Sequence, residues 1–310
     1  MELRRLRLLD GLARLGTVAA VADALSYSPS SVSAQLAQLE REAGAKLLRR
    51  VGRNVELTPA GRRLAVYAAD ALAADEAVRA ELASIGDAPR GRLRMTIVQT
   101  PALALLPATL DRLATTAPDL QVEVHQRETA PALAELRSRA VDLVVGIEYD
   151  PVPVGRQRDI HRRDLMREDV LLAVHPEHPL ATRGPLPLAA CEHMAWATGH
   201  RGTGLDAVLR NVCNRLGGFE PGIRHRSDDG LVLGALVASG RAVALLPALL
   251  TAALPQITTQ SLMEERLQRT VFTATRATAA DAPAVIAVGS ALRQAAAAMA
   301  ANRHDVDVTP

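Results

Sequence analysis

Two groups of residues in this 310-residue chain have types and spacings that could do chemistry. The first is nucleophilic or metal-binding: Cys191 stands two residues before His193, and His175 three before His178. A thiol beside an imidazole can give a thiolate nucleophile, and neighbouring histidines can share a metal. Neither pattern is completed. No third ligand stands at metal-site spacing, HPEHP reads as a turn, and the sequence contains neither a Gly-rich phosphate loop nor a serine elbow, so no catalytic residue, metal or cofactor is expected. The second group is polar and basic: Ser30, Ser31, Ser33, Ala34, Gln35 and Gln38, followed by Lys46, Arg49, Arg50 and Arg53. Small, uncharged side chains let a helix approach base edges closely. Gln35 carries the donor and acceptor that adenine N6 and N7 require, serine hydroxyls reach phosphates or base edges, and the arginines suit phosphates or a minor groove. That chemistry is recognition of double-stranded DNA.

The elements that must position the second group follow from periodicity. Leu6, Leu9, Leu12 and Ala13 fall on one face of a helix over 3–15 that Gly16 stops. Thr17 caps a short second helix with Val18, Val21, Ala22 and Leu25 inward, and Ser26-Tyr27-Ser28 is a tight turn. Ser28 is then the N-cap, with Pro29 first in a third helix that buries Val32, Leu36 and Leu39 and ends near Gly44. The polar residues occupy the opposite face. For an isolated helix that face would read as merely solvated, but two short strands follow around Gly52-Arg53-Asn54, forming a wing with arginine at its tip.

Composition agrees. Residues 1–63 carry 11 basic and 6 acidic side chains and the remainder 25 and 28, so the basic end is where a polyanion would bind. Two cysteines are too few to staple a secreted fold of this size, and MELRRLRLLD has no apolar signal core, so a cytoplasmic protein is expected. The apolar run Leu231–Leu254 is broken by Ser239, Gly240, Arg241 and Pro247, which argues against a membrane span.

From Pro59 a helix can run to Ile85, capped by Thr58. Leu64, Ala71, Val78 and Ile85 recur every seven residues, with Ala68 and Leu82 between and Asp75 weakening the stripe. The pattern suits a modest dimer seam, although a helix packed on its own domain would show the same period. A dimer is what a helix-turn-helix needs to read a dyad-symmetric site. After the breaker Gly86–Gly91 the pattern becomes alternating strands and helices, as in an α/β fold with largely parallel sheets.

The run VADALSYSPSSVSAQLAQLEREAG followed by LLRRVGRNVELTPAG resembles the DNA-binding domain of LysR-type transcriptional regulators, in particular those of high-GC actinobacteria. The resemblance implies an all-α winged helix-turn-helix domain with a long linker helix, joined to an α/β two-lobed, periplasmic-binding-protein-like (type 2) effector domain. The expected division is 1–58 for the DNA-binding domain, 59–90 for the linker and hinge, 91–303 for the effector domain and 304–310 for a tail. Lobe I would comprise 91–162 and 268–303, and lobe II 163–267. Ser33, Gln35 and Arg53 match DNA-contacting positions of the family. Pro29-Ser30 and Ala34 stand where many members have glutamine-proline and arginine, so contacts there cannot be carried over. Ligands in such folds sit between the lobes, at strand carboxyl ends and helix N-termini. That implicates Gln99 and Thr100, which match the family's first pocket position, His200, Arg201 and Thr203 across the cleft, and more weakly Glu148 and Arg276. Each could equally be an ordinary cap or loop residue. The implied function is a regulator that binds promoter DNA as a dimer or tetramer, answers to a small, carboxylate-bearing effector and meets RNA polymerase, with no membrane. A solute-binding transport protein would share the effector fold, but the basic N-terminal domain and the lack of a signal segment oppose it.

Overall fold

The computed structural model describes residues 1–52, 54–84, 88–181, 184–301, 303 and 305–308. Helices α1 (Leu3–Leu15), α2 (Val18–Ala24) and α3 (Pro29–Ala43) begin where their caps direct. Thr17 accepts the Ala20 amide at 3.1 Å, Ser28 accepts the Ser31 amide at 3.1 Å, and Pro29 at the start of α3 forgoes an amide that would have had no partner. Leu6, Leu9 and Leu12 of α1, Val21 of α2, and Val32, Leu36 and Leu39 of α3 close a single core. Strands β1 (Leu48–Val51) and β2 (Asn54–Leu57) pair antiparallel as the wing, and Arg53 between them lies outside the described residues.

Helix α4 (Pro59–Ser84) leaves directly from the wing. Thr58 accepts the Gly61 amide at 3.0 Å and donates its hydroxyl to the Lys46 carbonyl at 2.6 Å. Glycine is required here by space: a Cβ on Gly61 would lie 2.1 Å from the Leu47 carbonyl oxygen. With 26 residues α4 spans about 39 Å at 1.5 Å per residue. Its faces divide the expected seam. Ala68 turns inward onto the N-terminal core, a correction to its place in the heptad stripe, and Leu64 and Ala71 are half-buried beside it. Val78 and Leu82 are exposed, as are Val66 and Tyr67, while Ile85 lies outside the described residues.

In the second domain β3 (Gly91–Ile97), α5 (Gln99–Thr116), β4 (Leu120–Gln126), α6 (Thr129–Arg137) and β5 (Leu143–Tyr149) build two helix crossovers, and β4-β3-β5 are parallel. The 15-residue β6 (Ile160–Val174) then enters lobe II. That lobe holds the parallel pair β7 (Ala195–Thr198) and β8 (Gly222–Arg226), α7 (Gly204–Val212), α8 (Gly230–Ala238), β9 (Ala244–Pro247), α9 (Ala248–Thr251) and β10 (Thr258–Gln260). The chain returns through β11 (Gln268–Arg276), α10 (Pro283–Ala300) and β12 (Val306–Val308).

The sheet is mixed rather than largely parallel. Its order is β10-β6-β11-β5-β3-β4, and the returning β11 runs antiparallel between β5 and β6. Helix crossovers enforce parallel pairing, whereas β11 returns from lobe II with no such constraint. The lobes meet inside β6: residues up to Asp169 pair with β11, and Val170 onward pair with β9 and β10. Pairing thus changes at about 169 within β6, beyond the expected 162, and the returning strand begins at Gln268. Part of the expected tail is also ordered, since β12 pairs with Met166–Glu168. Helix α10 is long and apolar enough to cross a membrane, yet it packs on α5 and buries Val288, Leu292 and Ala296 in lobe I.

The Gly61 contact carries a prediction. Gly61→Ala should lower stability by roughly 2 kcal/mol or more, because the clash is with backbone that cannot rotate away. Urea unfolding followed by circular dichroism measures this, and a change within 0.5 kcal/mol of wild type would contradict the assigned packing.

Candidate nucleic-acid interface and ligand cavity

The polar face of α3 is present but not idle. Ser30 is exposed, its hydroxyl 3.0 Å from that of Ser28, and the exposed Ser33 donates its hydroxyl to the Pro29 carbonyl at 2.9 Å. Ser31 is half-buried with its amide on the Ser28 cap. Gln35 and Gln38 are held by the protein itself. Arg5 of α1 donates to Gln35 Oε1 at 3.0 Å, and Gln38 accepts from Arg41 at 3.0 Å while donating to Glu42 at 3.3 Å. In the wing Arg49 and Arg50 are both exposed. Arg49 pairs with Glu56 at 2.7 Å, and Arg50 has no partner among the described residues. The periodicity of α3 gave no sign of the Arg5–Gln35 contact, which depends on how α1 crosses it.

A cavity of about 280 Å³ lies between the lobes. Of the expected residues, Gln99, Thr100, Glu148 and Thr203 line it; His200, Arg201 and Arg276 do not. Gln99 is a clasp between the lobes, its Nε2 donating to Asp229 at 2.8 Å and its Oε1 accepting the Gly230 amide at 2.8 Å. Glycine at 230 permits this close approach, since a Cβ there would stand 3.2 Å from Gln99 Oε1 and 2.5 Å from Leu250. Thr203 spends its hydroxyl on the His200 carbonyl at 2.8 Å, and His200 and Arg201 are exposed on the turn. Glu148 is satisfied by the Val154 amide at 2.5 Å and by Arg162 at 2.7 Å.

Sequence reading missed the residue that dominates the cavity. Arg269, at the start of β11, is 2% exposed and pairs with the fully buried Glu168 at 2.7 Å. It also reaches the Tyr149 hydroxyl at 3.3 Å and donates to Thr100 Oγ1. Burial pushes the Tyr149 hydroxyl above its ordinary range, so it remains protonated. The choice of Arg276 over Arg269 fails on strand direction. Arg269 stands opposite Tyr149 at the carboxyl end of β5, so Arg276 lies at the far end of β11, away from the cleft. An antiparallel return would have identified Arg269 from sequence.

At that far end Arg276 anchors the N-terminal domain. It is 7% exposed, pairs with Glu76 of α4 at 2.6 Å and with Asp142 at 3.3 Å, and donates to the Leu136 carbonyl at 2.8 Å. Thr278 donates to the other Glu76 oxygen at 2.5 Å. On α1 the buried Asp10 meets Arg14 at 2.9 Å and Arg139 at 3.4 Å, and Arg7 donates to the Arg139 carbonyl. Each of these contacts needs one residue from either side of the junction or orders one that does.

The two cysteines are poor nucleophiles. Cys191 and Cys213 are both buried and free. Burial, aided by nearby Glu264, pushes the Cys191 thiol up to about 11; burial, aided by Cys191 and Glu220, pushes Cys213 up to about 12. No grouping of three or more His, Cys, Asp or Glu able to hold a metal occurs among the described residues.

Comparison with known proteins joins the two halves. Residues 3–62 match the family model of the bacterial regulatory helix-turn-helix protein, lysR family, and residues 86–297 match that of the LysR substrate binding domain. The transcriptional dual regulator GltC of Bacillus subtilis is 28% identical over 80% of this chain and 81% of its own length. The DNA-binding transcriptional dual regulator OxyR of Escherichia coli is 29% identical over 80% of each chain. A full-length OxyR variant from Pseudomonas aeruginosa shares the fold with a TM-score of 0.68 at 20% identity, covering 94% of this chain and 95% of its own.

Two measurements test this account. Native protein at pH 8 should react with a thiol reagent on the order of a hundredfold more slowly than free cysteine, with two thiols released on unfolding; fast labelling of the folded protein would refute the burial of both. Glu76→Gln should cost about 1–3 kcal/mol by removing charge-assisted bonds to Arg276. Hydrogen exchange should rise in α4 around residue 76 and in 277–279, with Asp70→Asn on the exposed face of α4 as the control. Equal exchange in both variants would contradict the junction.

Proposed function

The chain belongs to the LysR family of bacterial helix-turn-helix regulators, as a DNA-binding transcriptional regulator with an effector-binding domain and not an enzyme, and from that premise we propose how it works. The exposed end of α3, with Ser30, Ser33 and the small Ala34, enters the major groove. Gln35 and Gln38 leave their intramolecular partners to read base edges, and Arg49, Arg50 and Arg53 hold phosphates. Two copies meet along α4 through Val78 and Leu82, with Leu64, Ala71 and Ile85 extending the seam, to read a dyad-symmetric site; pairing of dimers would give a tetramer. The DNA-bound assembly then presents itself to RNA polymerase in the cytoplasm.

A small metabolite bound between the lobes sets the arrangement. The observation that carries this reading is the cavity itself, walled by both lobes and spanned by Gln99. The N-termini of α5, α6, α7 and α8 all reach its lining, which favours a carboxylate group on the effector through the helix dipoles, although the first amides of α8 are already taken by Gln99 and Asp229. His200 and Arg201 give no support to that lean, since neither lines the cavity. About 280 Å³ is small for a ligand pocket and excludes a large planar compound.

Sensing of peroxide, suggested by the E. coli relative's description as a hydrogen peroxide-inducible genes activator, is a second reading that the thiols oppose. Both cysteines are buried and held protonated, whereas oxidation by peroxide proceeds through an accessible thiolate.

The DNA-binding reading is tested at Arg50. Arg50→Ala should weaken binding to every DNA sequence and reduce the slope of log affinity against log salt by about one, the signature of one lost phosphate contact. Fluorescence anisotropy across a salt series measures this, and an unchanged slope would remove Arg50 from the interface.

A further inference from the structure

We propose that the effector carries an ammonium group, held between Glu128 of lobe I and Asp228 of lobe II, so that the cavity takes a small apolar amino acid. This rests on the reading of the interlobe cavity as the effector site and specifies what it selects. Three carboxylates line the cavity, Glu128, Glu148 and Asp228, with Glu168 behind Arg269, and they divide by partner. Glu168 is neutralised by Arg269 at 2.7 Å and Glu148 by Arg162 at 2.7 Å. Glu128 lines the cavity with no hydrogen bond or ion pair among the described residues, and Asp228 accepts only the His200 amide at 2.9 Å.

Both groups line the same cavity, Glu128 half-buried on lobe I and Asp228 exposed on lobe II. Burial, and next the negative charge of Asp228, push the Glu128 carboxyl above its ordinary range, while Arg269 pulls the other way. Arg269 is committed to Glu168, Tyr149 and Thr100 and forms no ion pair with either group among the described residues. A ligand cation relieves this arrangement and adds charge-assisted bonds to both lobes at once.

The rest of the lining fits the remainder of an amino acid. Val98, Leu205, Leu233, Leu246 and Leu250 supply apolar surface for a short aliphatic side chain. The amides at the start of α5, beside Thr100, suit its carboxylate. An anionic ligand without an amine would instead bring a third unneutralised charge towards Glu128 and Asp228, and a bare amine would leave the helix N-termini unused.

The test uses three matched probes: leucine, its deaminated counterpart 4-methylpentanoate, and its decarboxylated counterpart 3-methylbutylamine. Thermal shift and calorimetry are run on the full chain, on Glu128→Gln and Asp228→Asn separately, and on Leu246→Trp, which fills the cavity. Leucine should raise the melting temperature more than either counterpart. Each carboxylate variant should weaken leucine and the amine about tenfold or more while leaving the acid unchanged or improved, as expected for loss of a charge-assisted bond. If 4-methylpentanoate binds as well as leucine, or both carboxylate variants bind leucine as wild type does, the ammonium subsite is overturned; so it is if no amine-bearing probe binds. Loss of all binding in Leu246→Trp would leave the cavity reading standing in those cases. Undiminished binding in that variant would overturn the cavity reading itself.

Discussion

The arrangement of this molecule depends on the antiparallel insertion of β11 between β5 and β6. The ladder is in register on both sides over nearly the whole strand, with one irregularity between Val271 and Phe272. Its two ends carry arginine, and they serve different domains. Arg269 enters the effector cavity and Arg276 grips Glu76 of the linker helix. Seven residues of extended chain separate them by about 23 Å at 3.3 Å per residue. A single strand thus reaches both the interlobe cavity and the linker helix.

Both arginines are buried, and each is stabilised by a different solution to the cost of burying a charge. Arg269 has a fully buried partner in Glu168, whose other oxygen accepts the Leu249 amide at 2.7 Å at the start of α9. Arg276 spreads its protons over two carboxylates and the Leu136 and Val141 carbonyls. Removing a partner from either would strand a charge, so both are fixed points. The DNA face is the opposite case. Arg49–Glu56 is an exposed ion pair, a contact that contributes about 0–1 kcal/mol, and Arg41–Gln38 is exposed too, whereas Arg5–Gln35 is part-buried. A phosphate could displace the exposed wing pair at little cost, which suits the role proposed for that face.

Local structure was legible in the sequence because its causes are local. Thr17, Ser28 and Thr58 cap the helices they were expected to cap, since a cap is decided within three residues. The resemblance to LysR-type regulators, carried by the motif from α2 to the start of α4, anticipated the two-lobed architecture. What was not legible depends on residues far apart in the chain. Arg276 was assigned to the cleft because the direction of β11 is set by its neighbours, and one reversal exchanges the strand's ends. Ala68 was assigned to the dimer stripe because a seven-residue period describes both faces of a helix that packs on α1 along one side. Glu128 and Asp228 were passed over because an unpaired carboxylate is recognisable only once every cation nearby has been placed.

Continuity through β11 is a route for coupling and not yet coupling, which requires two arrangements that the effector binds unequally. The lobe contact supplies the candidate element. Gln99 holds the α8 N-terminus through one bond to a carboxylate and one to an amide, together about 2–4 kcal/mol by ordinary values. Inverting a population from 1:99 to 99:1 takes about 5.5 kcal/mol of differential affinity. The clasp alone is smaller than that, so it does not by itself make a two-state switch. A ligand touching both lobes would add bonds available only where the two lobes meet, which is the differential affinity such a shift requires. The crossing between lobes lies within β6 and at the start of β11, beside Glu168 and Arg269, so any change in lobe angle would be felt next to the buried pair. Arg269 of that pair sits on a strand whose other end holds the linker helix through Arg276 and Glu76.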